Sequence, residues 1–277
     1  MRKALIILLI LCLGVSNAAD FIIEQVDVTV SDIKSDGSAK VHESIKLIMY
    51  GDYAISVYDS GISKNDLSFW STGTSLKDVK FHVNPSKVDI RDLRLRPQPR
   101  TKCNPIQGIC HGELILDYTA YPSYANESVS EPVSGTGIFN IERYKPRTRR
   151  YTLNPSAISF TTTADGNTIL DDKEYLHISL PQDSVMLDLN PQPSGLNIKL
   201  PSHVEDLSYN DIVLVKFSVV FDVEEGIDKE VTEFFTNITN SIFKSLSGPY
   251  GYAMVLLIII VIGSYIYITI SKRRGED

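Results

Sequence analysis

The sequence predicts a mainly β protein of one or two β-sandwich-like modules, followed by a juxtamembrane amphipathic helix and a C-terminal transmembrane helix. Three observations predict it. Apolar and polar residues alternate with a period of two in many short runs between positions 22 and 221. Pro, Gly, Asn and Asp punctuate those runs as turn residues do between the strands of a sandwich. Positions 252–270 are almost wholly aliphatic, close to the ~20 residues that span a bilayer.

At the N-terminus, Met1-Arg2-Lys3 precedes an uncharged apolar run, and Ser16-Asn17-Ala18-Ala19 follows it. This is the order of a secretory signal peptide, expected over 1–18 with cleavage after Ala18. Cys12 leaves with the peptide, and Leu11 before it does not fit a lipoprotein processing site.

The first expected elements form a hairpin over 22–49. Val26, Val28 and Val30 share one face, Asp36-Gly37-Ser38 supplies the turn, and Val41, Ile45, Leu47 and Met49 resume the alternation. Further strands are predicted at 53–58, 79–83, 88–95, 113–120 and 138–144. The second half predicts strands at 157–163, 175–180, 185–189 and 196–200, with a turn at Asp165-Gly166-Asn167. A long strand then carries Val213, Val215, Phe217, Val219 and Phe221 on one face. Residues 122–136, rich in Ser, Pro and Gly, mark the expected linker between modules at 19–121 and 137–227.

From 228 the period changes. Val231, Phe234, Phe235, Ile238, Ile242 and Leu246 fall at helical spacing, which predicts an amphipathic helix over 228–247. Its apolar stripe is expected against its own domain, along the membrane surface, or against the matching helix of a membrane-protein partner or second copy of the chain. The 252–270 span follows, and Lys272, Arg273 and Arg274 place the 271–277 tail in the cytoplasm by the positive-inside rule. The expected localisation is therefore the cell membrane, single-pass and type I, with the β-rich part extracytoplasmic.

Within an exported chain, Cys103 and Cys110 are expected to form a disulfide around the turn residues Asn104-Pro105 and Gly108. Closing so short a loop stabilises by about 2–3 kcal/mol. Asn126-Glu127-Ser128 and Asn237-Ile238-Thr239 are acceptor sequons, which makes Asn126 and Asn237 candidate glycosylation sites.

Lys and Arg number 27 against 34 Asp and Glu, a net charge of −7, which argues against a nucleic-acid partner. Two basic clusters interrupt the acidic background: Arg91, Arg94, Arg96, Arg100 and Lys102, then Lys145, Arg147, Arg149 and Arg150. Guanidinium groups grip carboxylate and phosphate bidentately, so these clusters are candidate surfaces for an anionic glycan, a lipid headgroup or an acidic partner. Solvated strand ends with local ion pairs are the plainer alternative.

No catalytic chemistry is legible. The histidines, at 42, 82, 111, 177 and 203, are scattered without metal-ligand spacing. There is no Gly-x-Ser-x-Gly elbow, no phosphate-binding glycine loop and no His-Glu-x-x-His, so neither an enzyme nor a cofactor is expected. Asp165, Asn167, Asp171 and Asp172 fit no standard calcium loop and read as a solvated turn.

The opening pattern of alternating valines, Asp36-Gly37-Ser38 and the Val41-His42-Glu43 strand resembles the start of the ectodomain in families of uncharacterised prokaryotic, particularly archaeal, membrane proteins. The resemblance covers some thirty residues. It implies a β-rich extracytoplasmic module on a membrane helix and carries over no catalytic residue. The expected function is a membrane-anchored binding or scaffolding protein, a subunit of an envelope or membrane complex. An accessory sensor acting through a transmembrane partner is the alternative, and an anchored hydrolase the third.

Overall fold

The computed structural model describes residues 20–123, 135–145 and 147–224. The expected signal peptide, most of the 122–136 linker with Asn126, the 228–247 helix with its stripe from Val231 to Leu246, Asn237, the 252–270 span and the tail all lie outside these residues. Among the described residues, no helix is long and apolar enough to cross a membrane.

The described chain is mainly β, in two sheets. Strands β1 (Asp20–Ser31) and β2 (Ala39–Tyr50) form the expected hairpin. Its turn is set by Gly37 at φ 87° and by the Asp36 carboxylate, which accepts the Ser38 N–H at 2.9 Å. The alternation buries Val26, Val28 and Val30 together with Val41, Ile45, Leu47 and Met49 on one face.

The predicted strand at 53–58 is instead helix α1 (Gly51–Gly61). Gly51, at φ 80°, turns the chain off β2, and Ala54, Tyr58 and Gly61 are buried at helical intervals of four and three. Helix α2 (Leu67–Thr74) follows, capped by Asp66 and burying Trp70 edge-on against Tyr58. The predicted strand at 79–83 is a loop, with an isolated β-bridge from Val83 to Ile158.

Strands β3 (Asp89–Pro97), β4 (Thr101–Asn104) and β5 (Ile109–Tyr121) complete the first half. After them come β6 (Phe139–Lys145), β7 (Thr148–Leu153), β8 (Thr161–Thr162), β9 (Thr168–Ser179), β10 (Val185–Asn190), β11 (Ser202–His203), β12 (Asp206–Leu214) and β13 (Ser218–Glu224). The predicted strand at 196–200 has no regular structure. The 157–163 prediction reduces to β8, which the Asp165-Gly166-Asn167 turn joins to β9.

The first sheet has the order β12-β9-β1-β2-β5-β3, with β4 on β5 and β8 on β9; the second has the order β11-β10-β13-β7-β6. The pair β1–β9 is parallel, so strands from beyond the linker enter the sheet that the first half begins. Of the one or two modules left open by the alternation, residues up to Glu224 form one compact unit with one buried cluster fed by both sheets.

The long strand predicted through Val213 and Phe221 is broken between the two sheets. Lys216, at φ 49°, turns the chain from β12 into β13, leaving Val213 and Val215 exposed while Phe217, Val219 and Phe221 are buried. The sheets meet where Gly137, just before β6, donates its N–H to the carbonyl of Lys87, just before β3, at 2.7 Å.

Candidate functional site

The β4–β5 hairpin carries the most exposed large apolar side chain among the described residues. Cys103 and Cys110 are disulfide-bonded at its base. Within the loop, Asn104 Oδ1 accepts the Ile106 N–H at 3.1 Å and the Gln107 N–H at 3.3 Å, and Asn104 Nδ2 donates to Gln107 Oε1 at 2.9 Å. Gly108, at φ 63°, accepts the Gly51 N–H at 2.8 Å, which ties the tip to the start of α1. Ile106 is thereby held 95% exposed on a braced support. Exposed Tyr50, whose cross-strand partner is Ile109, and Tyr53 on α1 lie at the same end of the sheet.

The first basic cluster lies along the β3–β4 edge and is largely neutralised in place. Arg91 pairs with Asp89 at 2.6 Å, Arg96 with Asp117, and Arg100 with Asp59 at 3.2 Å. Asp117 also meets His42, its cross-strand partner, at 2.7 Å. Burial pushes the Asp117 carboxyl up, but the hydrogen bonds from His42 and Arg96 outweigh it and hold the group below its ordinary range. Arg94 and Lys102 are exposed on the same edge. Charges along such an edge also discourage unwanted strand pairing.

The second cluster occupies the β6–β7 hairpin, and there the register sorts charges by face. On the outer face Glu142, Arg150 and Asp222 stand in one cross-strand row, and Arg150 grips Asp222 bidentately at 2.9 and 3.0 Å. On the other face, which also carries buried Tyr151 and Phe221, the next row is Arg143, Arg149 and Val223. Two arginines therefore sit directly opposite each other, with an apolar residue as the third member. Arg147 pairs with Glu224 at 3.4 Å, and Lys145 lies over the Tyr144 ring.

Sequence reasoning missed a third feature. Glu43 and His82 are both fully buried. Glu43 accepts the His82 backbone N–H at 3.0 Å, its Oε2 lies 2.9 Å from His82 Nδ1, and it accepts the Tyr118 hydroxyl. Burial and the nearby Glu43 charge push the Tyr118 hydroxyl well above its ordinary pKa. Phe160 lies against the His82 ring at 5.0 Å, and Glu174, also buried, is pushed up by desolvation, which the hydrogen bond it accepts from the Asp171 N–H only partly offsets. A Glu in the alternating core register of β2 was the available signal; its partner lies 39 residues away on a loop, which no local pattern reveals. With Glu43 and His82 fully buried, this cluster is built to clamp the 79–88 segment onto the sheet rather than to meet a substrate.

A groove of about 600 Å³ at the junction of the sheets is lined by Asn84, Asn154, Phe160, Thr168, Lys216 and Phe217, among others. Its amides are already engaged: Asn154 Nδ2 donates to the Gly135 and Gly137 carbonyls, and Asn84 Nδ2 donates to that of Ser156. Among the described residues no group of His, Cys, Asp and Glu is arranged to hold a metal ion.

The sequence matches no protein-family model and no curated protein. Among solved structures, the chain is similar to native yeast LTA4 hydrolase, with a TM-score of 0.32, 8% identity, and 73% of this chain covered against 29% of that one. Native leukotriene A4 hydrolase from Saccharomyces cerevisiae gives a TM-score of 0.30, 9% identity and coverage of 73% and 29%. The bestatin complex of the yeast enzyme gives 0.26, 8%, and 74% and 29%. The chain thus spans under a third of the length of these neighbours, and at such TM-scores the likeness carries no argument about activity.

Proposed function

We propose that this chain is a membrane-anchored extracytoplasmic binding or scaffolding protein. In this reading a signal peptide exports it, and the 252–270 segment holds it in the membrane as a single-pass, type I protein. The two sheets pack as a β-sandwich-like body that presents a fixed surface to a partner. That partner is a membrane protein or a second copy of the chain, which makes the protein a subunit of an envelope complex.

The observation that carries the reading is the Ile106 tip. A β-branched apolar side chain left 95% exposed forfeits the ~1.5–3 kcal/mol that burial would return, yet a disulfide and the three hydrogen bonds made by the Asn104 side chain, two accepted and one donated, hold it in place. Rigid apolar anchors are the form that binding hot spots take, because little ordering entropy remains to be lost on association.

The test is photocrosslinking of the full-length chain in its native membrane, with benzoylphenylalanine at position 106 or, as a control, at exposed Val213. The reading expects one discrete adduct from position 106, absent from position 213 and abolished by Tyr53→Asp. A parallel variant carrying Phe234→Ser, Phe235→Ser and Ile238→Ser separates contact through the tip from contact through the juxtamembrane stripe. Equal or absent crosslinking from positions 106 and 213 overturns the proposal.

A further inference from the structure

We infer that the groove between α2, the 76–85 loop and the β3 edge binds a small amphiphilic acid, an apolar chain that ends in a single carboxylate. This goes beyond the tip reading, since the groove takes no lining residue from the β4–β5 hairpin.

The site is concave and mostly apolar. Its volume is about 710 Å³, within the ~300–1,000 Å³ of small-molecule sites. Leu76, Val79 and Phe81 line it from the loop, and Leu93 lines it from β3. The loop side is fixed before any ligand arrives. Buried Glu43 accepts the His82 N–H at 3.0 Å, and the Phe81 ring packs edge-on against Tyr118 at 5.4 Å. A preformed wall loses little conformational freedom on binding.

The β3 wall is built by a bulge. Arg91 pairs with Thr119 and Arg94 with Asp117, so Asp92 and Leu93 together stand opposite Tyr118. Asp92 takes φ 57° there, a conformation that strains a non-glycine residue and that regular pairing does not require. Because β3 is the last strand of its sheet, no further strand covers the bulge. Leu93 is left 41% exposed on the groove lining, while Leu95 on the same strand is buried. A bulge that re-aims an apolar side chain into a groove shapes a binding wall.

Charge selects the other end of the ligand. The charged side chains on the lining are Lys77, Lys80 and Asp66. Asp66 is occupied as the cap of α2: its carboxylate accepts the Ser68 hydroxyl at 2.6 Å and the Ser68 N–H at 2.9 Å, and these bonds hold it below the ordinary carboxylate range. Lys80 comes no nearer than 4.0 Å to Asp78, and the Lys77 ammonium has no partner among the described residues. Lysine stems lie along apolar surface while their charged heads stay in water. Two ammonium groups on the lining of an apolar groove therefore complement one carboxylate on an apolar body, and a neutral or cationic ligand leaves them unanswered.

The test uses the full-length chain in phosphatidylcholine liposomes and decanoate carrying a diazirine at its chain end, photolysed and mapped by mass spectrometry. Expected is saturable labelling confined to residues 65–93 and Ser159, displaced by unlabelled decanoate. Lys77→Gln/Lys80→Gln should weaken the apparent affinity about fivefold. Leu93→Asp should abolish labelling, and Lys102→Gln should leave it unchanged. The emission of Trp70, the single tryptophan, checks that each variant keeps α2 folded. Absent labelling, labelling spread along the chain, or equal affinity in wild type and Lys77→Gln/Lys80→Gln overturns the inference. So does displacement by an acetylated peptide ending in leucine at lower concentration than decanoate, since that reassigns the groove to a peptide C-terminus. Loss of the position-106 adduct leaves this readout untouched, so failure of the tip reading and failure of this inference are distinguishable.

Discussion

Removing the His82 ring by His82→Phe tests the buried clamp directly. His82 and Glu43 have no exposed side-chain surface, and the Glu43 carboxylate accepts a ring contact at 2.9 Å, a backbone N–H at 3.0 Å and the Tyr118 hydroxyl. Deleting a hydrogen-bond partner of a buried carboxylate leaves it poorly compensated in low dielectric and costs about 3–5 kcal/mol. Tyr118→Phe removes one hydrogen bond to a charged group and costs about 1.5–3 kcal/mol. Replacing all three residues, with Glu43→Leu, His82→Phe and Tyr118→Phe, leaves no buried charge and falls well short of the sum of the single losses. Guanidinium unfolding of residues 20–224 with the disulfide intact measures all of these. A His82→Phe loss below about 1 kcal/mol, or losses that simply add, would refute the clamp.

Three further outcomes follow from the structure. Gly112→Ala places a Cβ against the Tyr58 ring, whose hydroxyl, with its pKa pushed up to about 12 by burial, is held by the Gln98 carbonyl at 2.7 Å. The expected loss is about 1–3 kcal/mol in denaturant melts, and a neutral result would show that α1 shifts freely. Glu174→Gln is expected to stabilise at pH 7. Its folded-state pKa is raised by burial, so the wild-type group favours folding below the ordinary carboxylate range and loses that contribution as pH rises through the folded value. The gap between wild type and variant should close on acidification; a variant less stable at pH 7 contradicts the assignment. Asp117→Asn has the opposite sign, because the folded-state pKa is lowered: it destabilises at pH 7, and its difference from wild type fades as pH falls through that lowered value. Thermal melts at stepped pH read both.

By itself the sequence determined the β class, the β1–β2 hairpin with its buried face, the Asp165-Gly166-Asn167 turn and the Cys103–Cys110 staple. Each follows from chemistry within a dozen neighbouring residues: period-two burial, turn residues that accept positive φ, and a short cysteine loop. It also picked out both basic clusters, though not which of their charges are answered. Only the tertiary structure decided that Arg96 meets Asp117, that Arg100 meets Asp59, and that Arg143 and Arg149 share a cross-strand row, in a register that linear spacing does not contain. The helix at Gly51–Gly61 was read as a strand because Tyr53, Ile55, Val57 and Tyr58 are strand-favouring residue types in a run too short to show its period, and contacts with Trp70 and the Gln98 carbonyl select the helix. The break at Lys216 escaped because alternation runs on unbroken while the chain changes sheets. The joining of Glu43 to His82 lies beyond any local signal, since burial of a charge is decided by what covers it, and here the covering loop arrives from 39 residues away.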